Sequence, residues 1–432
     1  MNSDRFLTFS LRDPTLTKIL AAAIQAVDPG RIVRQFLEKT ILPAHDRLFL
    51  LGIGKASEPM TLAAAEYLQG FDDALIVTKQ YLGRVEQITS SKISGQITIL
   101  EAGHPIPDDR SLAAGQVVLD FVSRLKSNDL LICLISGGAS SLVVAPRRGF
   151  SLGETQALTS SMLSLGASIE EINIIRRQID QLKGGGLALS TKGKIISIIL
   201  SDVIGDNLAT IASGLTVTEH IDRNKLQSIL IKYKIQDRLS SAILNLVNKD
   251  KKPDVSSFDR VQNIIIANNK LALQAALEQA RKEGFASEII DENLHGEARL
   301  LGNQLAKILR SSLQRRPHPF CLISGGETTV TIRGTGKGGR NQELALAAVD
   351  TLKNLKNTML LSLATDGNDG PTDAAGAVVT GETYGRARTL DMIPARYLMN
   401  NDAYHFFDRL GDLLQPGYTG TNVNDLIFLF GL

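Results

Sequence analysis

The sequence predicts two α/β domains. Short apolar runs alternate with helical patterns in both halves of the chain, which is typical of sheets whose strands are joined by helical crossovers. At 432 residues the chain also exceeds the usual size of one hydrophobic core. A polar, charge-rich stretch separates the halves, so we expect the first domain over residues 1–250 and the second over 258–432.

The elements of the first domain follow from the spacing of its apolar residues. Two helices are predicted within residues 12–41. Buried strands, with helices between them, are predicted at 47–51, 74–79, 97–103, 130–135 and 194–201. We expect one long helix from Thr155 to about Lys183, which places Arg176 and Lys183 on roughly the same face. A solvated basic surface is the simpler interpretation of at least one of these cations.

The second domain is predicted to begin with a strand at 261–269. Its helices are predicted at 270–284, at 296–314 and from Asn341 onward, and its further strands at 287–291, 321–323, 359–364 and 426–430. The β-branched run at 328–332 is expected to form a hairpin with the strand before it.

Glycine-rich turns follow several of these strands. Lys55 lies beside Gly52 and Gly54, where it either contacts an anion or is a solvated surface charge. The run CLISGG occurs at 133–138 and again at 321–326. We therefore expect two similar loops, each able to hold a phosphate-bearing ligand. Their candidate residues are Ser136, Gly137, Gly138 and Ser140 in the first loop and Gly325, Gly326, Glu327 and Thr328 in the second.

A third glycine-rich stretch, residues 334–343, joins two cations to a predicted helix start. Because helix N-termini favour anions, the nucleotide-binding candidates here are Lys337, Gly338, Gly339 and Asn341. Gly334, Gly336 and Gly339 also match the dinucleotide fingerprint of dehydrogenases. Against that match, the cations Lys337 and Arg340 would crowd a pyrophosphate, and no acidic residue ends a strand about 20 residues further on.

Carboxylates follow two other predicted strands. Asp202 lies at the carboxyl end of a strand, a favoured position for function in open α/β sheets, although it also suits an N-cap. Asp366, Asp369 and Asp373 share one Gly/Pro loop. They could hold Mg²⁺ through oxygens or water, or they could cap turns.

Phosphoryl transfer uses all these groups, because it needs cations on the moving group and Mg²⁺ on the nucleotide oxygens. No Walker motif and no protein-kinase motif is present. A protein that only binds a sugar acid or a nucleotide is a further interpretation of the same residues.

Composition excludes several other classes. A formal charge of +2 does not provide the positive charge that binding to nucleic acid or an anionic membrane needs. The apolar runs are far shorter than the ~20 residues that span a bilayer. Cys133 and Cys321 lie in apolar runs, which is typical of buried reduced thiols. The start, MNSDRFLTF, lacks a signal-peptide core, so we expect a cytoplasmic protein. Its expected partners are small molecules, and a homodimer is one assembly open to it.

Eight segments, in order along nearly the whole chain, resemble the glycerate 2-kinases that carry a MOFRL C-terminal domain. These segments are GIGKAS (52–57), GHPIPD (103–108), LISGGASSL (134–142), SDVIGD (201–206), LISGGETTV (322–330), GKGGRNQE (336–343), TDGNDGPTDAAGA (365–377) and TGTNVNDL (419–426).

The resemblance implies phosphorylation of D-glycerate at its 2-hydroxyl, with ATP and Mg²⁺. It implies a Rossmann-like, three-layer N-terminal domain and a MOFRL-type domain with a mixed sheet, with the active site in the cleft between them. The family's cationic Lys and Arg fall on Lys55 and Arg340, and Asp202 and Asp366 are candidates for a general base. Relatives are often labelled hydroxypyruvate reductases, so an NAD(P)H-dependent reductase is the alternative.

The chain departs from the family pattern at several positions, and Leu215 and Tyr418 stand where relatives have Pro. Gln178 and Asp180 stand where relatives have His and Ser, and Gly186 stands where they have Arg. If residues 178–186 line the active site, we expect these departures to alter the substrate range.

Overall fold

The computed structural model describes residues 1–79, 95–218, 223–235 and 255–432 of the chain. These residues form two compact units. The N-terminal unit consists of Pro29–Ile266, and the C-terminal unit combines Ala267–Leu432 with the first segment of the chain, Met1–Asp28. None of the described helices is both long enough and apolar enough to cross a bilayer.

A six-stranded sheet forms the centre of the N-terminal unit, in the order β3-β2-β1-β4-β5-β6. Its strands are β1 (Leu48–Ile53), β2 (Asp73–Thr78), β3 (Gln96–Glu101), β4 (Leu130–Ile135), β5 (Lys194–Leu200) and β6 (Val261–Ala267). The first five strands are parallel. Their order reverses direction between β1 and β4, and ligands of open α/β sheets bind at the carboxyl ends of the strands beside such a switch point.

The described helices of this unit are α2 (Pro29–Glu38), α3 (Ser57–Leu68), α4 (Asp109–Ser123), α5 (Ala139–Leu142), α6 (Leu152–Ser164), α7 (Ile169–Ile179), α8 (Gly186–Leu189) and α9 (Arg223–Lys232). Helices α3 and α4 lie on opposite faces of the sheet, while α6, α7 and α9 pack together in a separate core. Phe49 and Leu51 face a core that includes Val118 of α4. Gly52, which points to the opposite face, packs on Thr61 of α3. The predicted Rossmann-like, three-layer arrangement is therefore confirmed.

The single long helix expected from Thr155 to Lys183 is wrong, because two helices occupy this region. Ser168 caps the second one, α7: its side chain accepts the N–H of Glu171, and the Glu171 side chain accepts the N–H of Ser168. This reciprocal capping box starts a new helix at a fixed residue. Helix α7 then ends at Ile179, because Asp180 has extended backbone angles.

Lys183 consequently lies outside any helix, so it does not share a helix face with Arg176, and it is buried rather than solvated. Its side chain is 3% exposed and its Nζ lies 2.7 Å from Asp180 Oδ2. Asp180 also accepts the backbone N–H groups of Ala145 and Leu182. Paired and hydrogen-bonded in this way, both charges can be buried.

The C-terminal unit contains a mixed six-stranded sheet in the order β11-β10-β9-β12-β8-β7, as predicted. Its strands are β7 (Ala286–Glu297), β8 (Phe320–Thr329), β9 (Thr358–Ala364), β10 (Gly376–Thr380), β11 (Leu413–Leu414) and β12 (Asp425–Gly431). Only β7 and β8 pair in parallel within this sheet. The described helices are α1 (Pro14–Ala26), α10 (Asn269–Lys282), α11 (Ala298–Ser312), α12 (Arg340–Leu352), α13 (Thr383–Thr389), α14 (Pro394–Met399) and α15 (Ala403–Leu410).

At both ends of the N-terminal unit, the unit to which a segment belongs differs from the one that its position in the sequence suggests. The strand that was expected to open the second domain is β6, and it completes the N-terminal sheet instead. Helix α1 packs against α10 in the C-terminal unit, and Asp412 of that unit accepts hydrogen bonds from Ser10. These contacts join residues that are far apart in sequence, so local patterns could not indicate them. Part of the expected linker, residues 249–254, lies outside the described residues.

The second CLISGG run does not form the expected glycine loop. Strand β8 continues through Gly325 and Gly326 to Thr329, because β12 pairs with it as far as Gly326 and β7 pairs with it as far as Thr329. Both glycines are needed for close packing. A Cβ on Gly325 would lie 1.9 Å from Asn269 Oδ1, and one on Gly326 would lie 2.0 Å from the carbonyl oxygen of Leu294. The predicted similarity of the two loops, and the hairpin after the second, are therefore wrong.

Candidate functional site

Two turns meet at the switch point of the N-terminal sheet. Lys55, after β1, donates its backbone N–H to the carbonyl of Gly137, after β4, at 2.9 Å. The N–H of Ala56 donates to Ser136 Oγ at 3.0 Å. The two turns thus hold each other in place, and the sheet fixes both because β1 and β4 are adjacent.

Three chemically active side chains abut the two-glycine turn Gly137–Gly138. A Cβ on Gly137 would lie 1.7 Å from Asp202 Oδ2. A Cβ on Gly138 would lie 2.9 Å from His104 Cδ2 and 3.1 Å from Lys55 Cγ, and Gly138 has a positive φ of 86°. Only glycines allow such an approach and such a backbone. The structure therefore brings the predicted residues Lys55, Gly137, Gly138 and Asp202 together, and it adds His104.

His104 lies in a positively charged environment. It follows β3 and is half-buried. Burial, and then the charges of Lys55 and Lys79, lower its pKa from 6.5 to about 4. The imidazole is therefore neutral near pH 7, and the lysines carry the positive charge of this group. We name Lys55, His104, Gly137, Gly138 and Asp202 the N-terminal cluster.

Ser140 belongs to a chain of polar side chains beside this cluster. Its Oγ lies 2.8 Å from Ser213 Oγ, and the Ser213 hydroxyl donates to Asn173 Oδ1 at 3.3 Å. Ser213 and Asn173 are both buried, and sequence reasoning missed them. Asn173 lies inside α7, and Ser213 lies in a short 3-10 turn before Gly214, so neither directly follows a strand, where the candidates were sought.

Arg340 is the centre of a second group, in the C-terminal unit. It is the first residue of α12, and two carboxylates hold its guanidinium. Asp425 accepts from Nε at 2.6 Å and from Nη2 at 3.0 Å, and Glu327 accepts from Nη1 at 2.7 Å. Burial works to lower the pKa of Arg340, but Asp425 and the other neighbouring carboxylates more than offset it, so the pKa is raised. Glu327 was expected to contact nucleotide, whereas Asp425 was not expected to have a role.

The glycine-rich stretch before α12 is held by another loop of the same unit. Asn401 Oδ1 accepts the N–H groups of Arg333 and Gly334. Asp402 Oδ1 accepts the N–H of Lys337 at 3.0 Å, and Gly336 donates to the carbonyl of Asn400. These four donors are therefore engaged within the protein and are not available to a pyrophosphate.

The N-terminus of α12 is also engaged, by Asp369. This carboxylate accepts the N–H of Asn341 at 3.1 Å and that of Gln342 at 2.9 Å. Asp369 thus occupies the position where we expected Gly339 and Asn341 to bind phosphate, because a helix N-terminus favours a carboxylate for the same electrostatic reason. Burial, and then Asp425, raise the pKa of Asp369 to about 7 against these backbone hydrogen bonds.

The three aspartates of the predicted metal set have separate partners. Asp369 is buried and caps α12. Asp373 accepts from the Tyr404 hydroxyl at 2.7 Å, and Asp366 accepts the N–H of Asn368 at 3.0 Å. Within the described ranges no group of three or more His, Cys, Asp or Glu could hold a metal ion. The three carboxylates therefore do not fit one shared Mg²⁺ site.

Comparison with known proteins assigns the chain to a family. The MOFRL family model matches residues 320–425, and a domain of unknown function, DUF4147, matches residues 15–248. A D-glycerate 2-kinase of Thermotoga maritima is 40% identical over 417 residues, which cover 95% of this chain and 96% of that protein. The chain belongs to the MOFRL-containing glycerate kinase family. The resemblance is thereby confirmed.

Other members of this family support the assignment. A glycerate 2-kinase of Pyrococcus horikoshii is 35% identical and covers 95% of each chain. The crystal structure of a glycerate kinase from Thermotoga maritima superposes with a TM-score of 0.87 at 39% identity and covers 96% of this chain and 98% of that one. The fold of the family is therefore the fold of this chain.

The departures from the family pattern have local structural partners. Asp180 forms the buried pair with Lys183, and the carbonyl of Gln178 accepts from Arg147 Nε at 3.0 Å. At Gly186 a Cβ would lie 1.9 Å from the carbonyl oxygen of Gln181, so an arginine would not fit this backbone. The side chain of Asp180 and the lack of one at Gly186 therefore set the path of the chain between α7 and α8, whereas Gln178 contributes only its backbone.

Proposed function

We propose that the chain phosphorylates D-glycerate at its 2-hydroxyl, with ATP as the donor, to give 2-phospho-D-glycerate and ADP. The observation that carries the proposal is the N-terminal cluster: a lysine, a carboxylate and a two-glycine turn at the switch point of a Rossmann-like sheet. Its relatives are glycerate 2-kinases at 40% and 35% identity over nearly their full length. We also propose the cytoplasm as its location.

In the proposed reaction the 2-hydroxyl oxygen attacks the γ-phosphorus, the bond from that phosphorus to the β,γ-bridging oxygen breaks, and ADP leaves. Lys55 and Arg340 supply positive charge to the phosphoryl oxygens, which carry the negative charge of the transition state. Asp202 accepts the proton of the hydroxyl. It is favoured over Asp366 because it adjoins the same glycine turn as Lys55.

Mg²⁺ enters the proposal as a companion of ATP. This ion usually keeps several waters and binds phosphate oxygens together with one or two carboxylates. It therefore does not need the three-aspartate set, and we assign no step to that set.

The test is direct identification of the product. Incubation with D-glycerate and Mg·ATP should give 2-phosphoglycerate, distinguished from the 3-phosphate by ³¹P NMR. Incubation with hydroxypyruvate and NADPH should leave the absorbance at 340 nm unchanged. Formation of the 3-phosphate, or oxidation of NADPH without phosphoryl transfer, would refute the proposal.

Gly137→Ala should impair the same reaction through Asp202. The added Cβ would lie 1.7 Å from Asp202 Oδ2, so the carboxylate must move. Because displacements of about 1 Å can cost up to about 100-fold in rate, we expect kcat/KM for D-glycerate to fall about tenfold or more. Steady-state kinetics measure this effect.

Gly153→Ala is the matched control for this variant. At Gly153 an added Cβ meets nothing closer than 4.0 Å, so kcat/KM should stay near wild type. Thermal unfolding of both variants verifies that they fold. Wild-type kinetics in a folded Gly137→Ala protein would show that Asp202 does not act from its position against this turn.

A further inference from the structure

The proposed reaction assigns no role to one member of the N-terminal cluster, His104. Its loop is tied to the start of α4. The N–H of Gly103 donates to Asp108 Oδ1 and to Ser111 Oγ, and the N–H of Asp108 also donates to Ser111 Oγ. Asp108 in turn caps α4. The imidazole is thus presented from a backbone that is held on both sides.

The ring of His104 faces the glycine turn. A Cβ on Gly138 would lie 3.0 Å from Nε2 of His104. This nitrogen and Lys55 Cγ therefore approach the same face of the turn. Among the residues that the structure describes, none forms a hydrogen bond with the His104 side chain. Its ring nitrogens are not among the buried atoms that lack a partner, so they are open to solvent and to a ligand on this face of the turn.

The chemistry of this position differs from that of a lysine. The pKa of His104 is lowered to about 4 by burial and then by Lys55 and Lys79. The ring therefore carries no charge near pH 7 and offers one donor and one acceptor. An alcohol group needs that combination, since it can donate one hydrogen bond and accept others. A phosphate or carboxylate oxygen, in contrast, is better matched by the ammonium group of Lys55.

We propose that His104 contacts the substrate, and that its imidazole binds the hydroxyl group that accepts the phosphoryl group while Lys55 binds an anionic oxygen beside it. This inference rests on the proposed function and adds a residue that selects a hydroxy acid. Binding through an uncharged ring orients the hydroxyl oxygen toward the donor without adding positive charge to a nucleophile. Asp202, which abuts the neighbouring Gly137, remains the acceptor of the proton.

The test compares His104→Ala with His104→Asn in the full-length enzyme. Loss of one hydrogen bond to substrate should lower kcat/KM for D-glycerate about tenfold in His104→Ala. The asparagine amide also offers a donor and an acceptor, so His104→Asn should retain more activity. Added imidazole should restore part of the activity of His104→Ala, a result that a packing role would not produce. His45→Ala, at an exposed histidine of the same unit, is the matched control.

A pH series adds an independent readout. The unfolded chain binds a proton at this residue near pH 6.5, whereas the folded chain does so only near pH 4. The free energy of unfolding should therefore fall as the pH drops from 6.5 to 4, and His104→Asn should weaken that fall. In the wild type, protonation of His104 should not change kcat/KM between pH 5.5 and pH 8, because the ring stays neutral over that range.

The outcomes separate this inference from the proposed function. A wild-type protein that does not phosphorylate D-glycerate removes both. An active wild type whose folded His104→Ala variant keeps normal kcat/KM overturns the role of His104 alone. Equal losses in His104→Ala and His104→Asn, without rescue by imidazole, also overturn it, because they indicate packing rather than a hydrogen bond.

Discussion

Lys55→Ala is expected to lower kcat for D-glycerate phosphorylation by about 100-fold or more. Lys55 is fixed at the switch point by its own backbone, whose N–H donates to Gly137 at 2.9 Å. Its side chain approaches Gly138, with Cγ 3.1 Å from the position of a Cβ there, and its amine is proposed to bind the phosphoryl group beside this turn. Removing one such electrostatic contact typically costs about 2.7–4 kcal/mol of transition-state stabilisation. Steady-state kinetics with saturating Mg·ATP measure the loss.

The control for this variant is Lys192→Ala. Lys192 is exposed and lies just before β5, at the amino end of the sheet, so its removal changes the net charge equally without touching the switch point. Lys55→Arg is a second comparison, because it keeps the charge but not the compact ammonium group. A kcat for Lys55→Ala within about threefold of wild type would exclude a role for this amine in charge stabilisation.

Arg340→Ala is also expected to lower kcat by about 100-fold or more, and it should in addition destabilise the protein. Asp425 is 1% exposed and loses its bidentate partner in this variant. Breaking a buried pair by removing one partner typically costs about 3–5 kcal/mol. Because Arg340 is itself 30% exposed, we expect a value at or below the lower end of that range, measured by urea unfolding.

The double variant Arg340→Ala/Asp425→Asn separates the two effects. It removes both charges, so much of the lost stability should return, whereas kcat should remain low because the cation is still missing. Arg310→Ala, at an exposed arginine of α11, is the control for charge. If the double variant regained wild-type turnover, Arg340 would serve only to neutralise Asp425, and its proposed role on the phosphoryl group would be wrong.

Periodicity and strand-end glycines were sufficient to predict the framework of the N-terminal cluster. The apolar runs located β1, β4 and β5, and in a parallel sheet the residues that follow such strands must meet at one edge. Lys55, Gly137 and Asp202 could be placed near one another for that reason. His104 could not, because the GHPIPD segment equally suits a structural turn.

The C-terminal group was harder to predict, because its contacts join distant parts of the chain. Arg340 pairs with Asp425 across 85 positions, and Asp369 caps α12 from 28 positions away. A sequence pattern shows that a helix begins near Asn341 and that carboxylates are present in glycine-rich segments. It does not show which carboxylate reaches which N–H group, so it left metal binding and capping both open for Asp369.

The two CLISGG runs show where local sequence stops determining the structure. Their identical apolar residues predict a buried strand in both places, because a short apolar run is by itself a signal for such a strand. Whether the strand then ends depends on its neighbours. After Ile135 the chain turns and forms the Gly137–Gly138 site, whereas after Ile323 strands β7 and β12 supply hydrogen-bond partners on both sides as far as Gly326. Backbone groups must be paired when buried, and those partners come from residues about 30 and 100 positions away, so one run carries a binding turn and the other remains a strand.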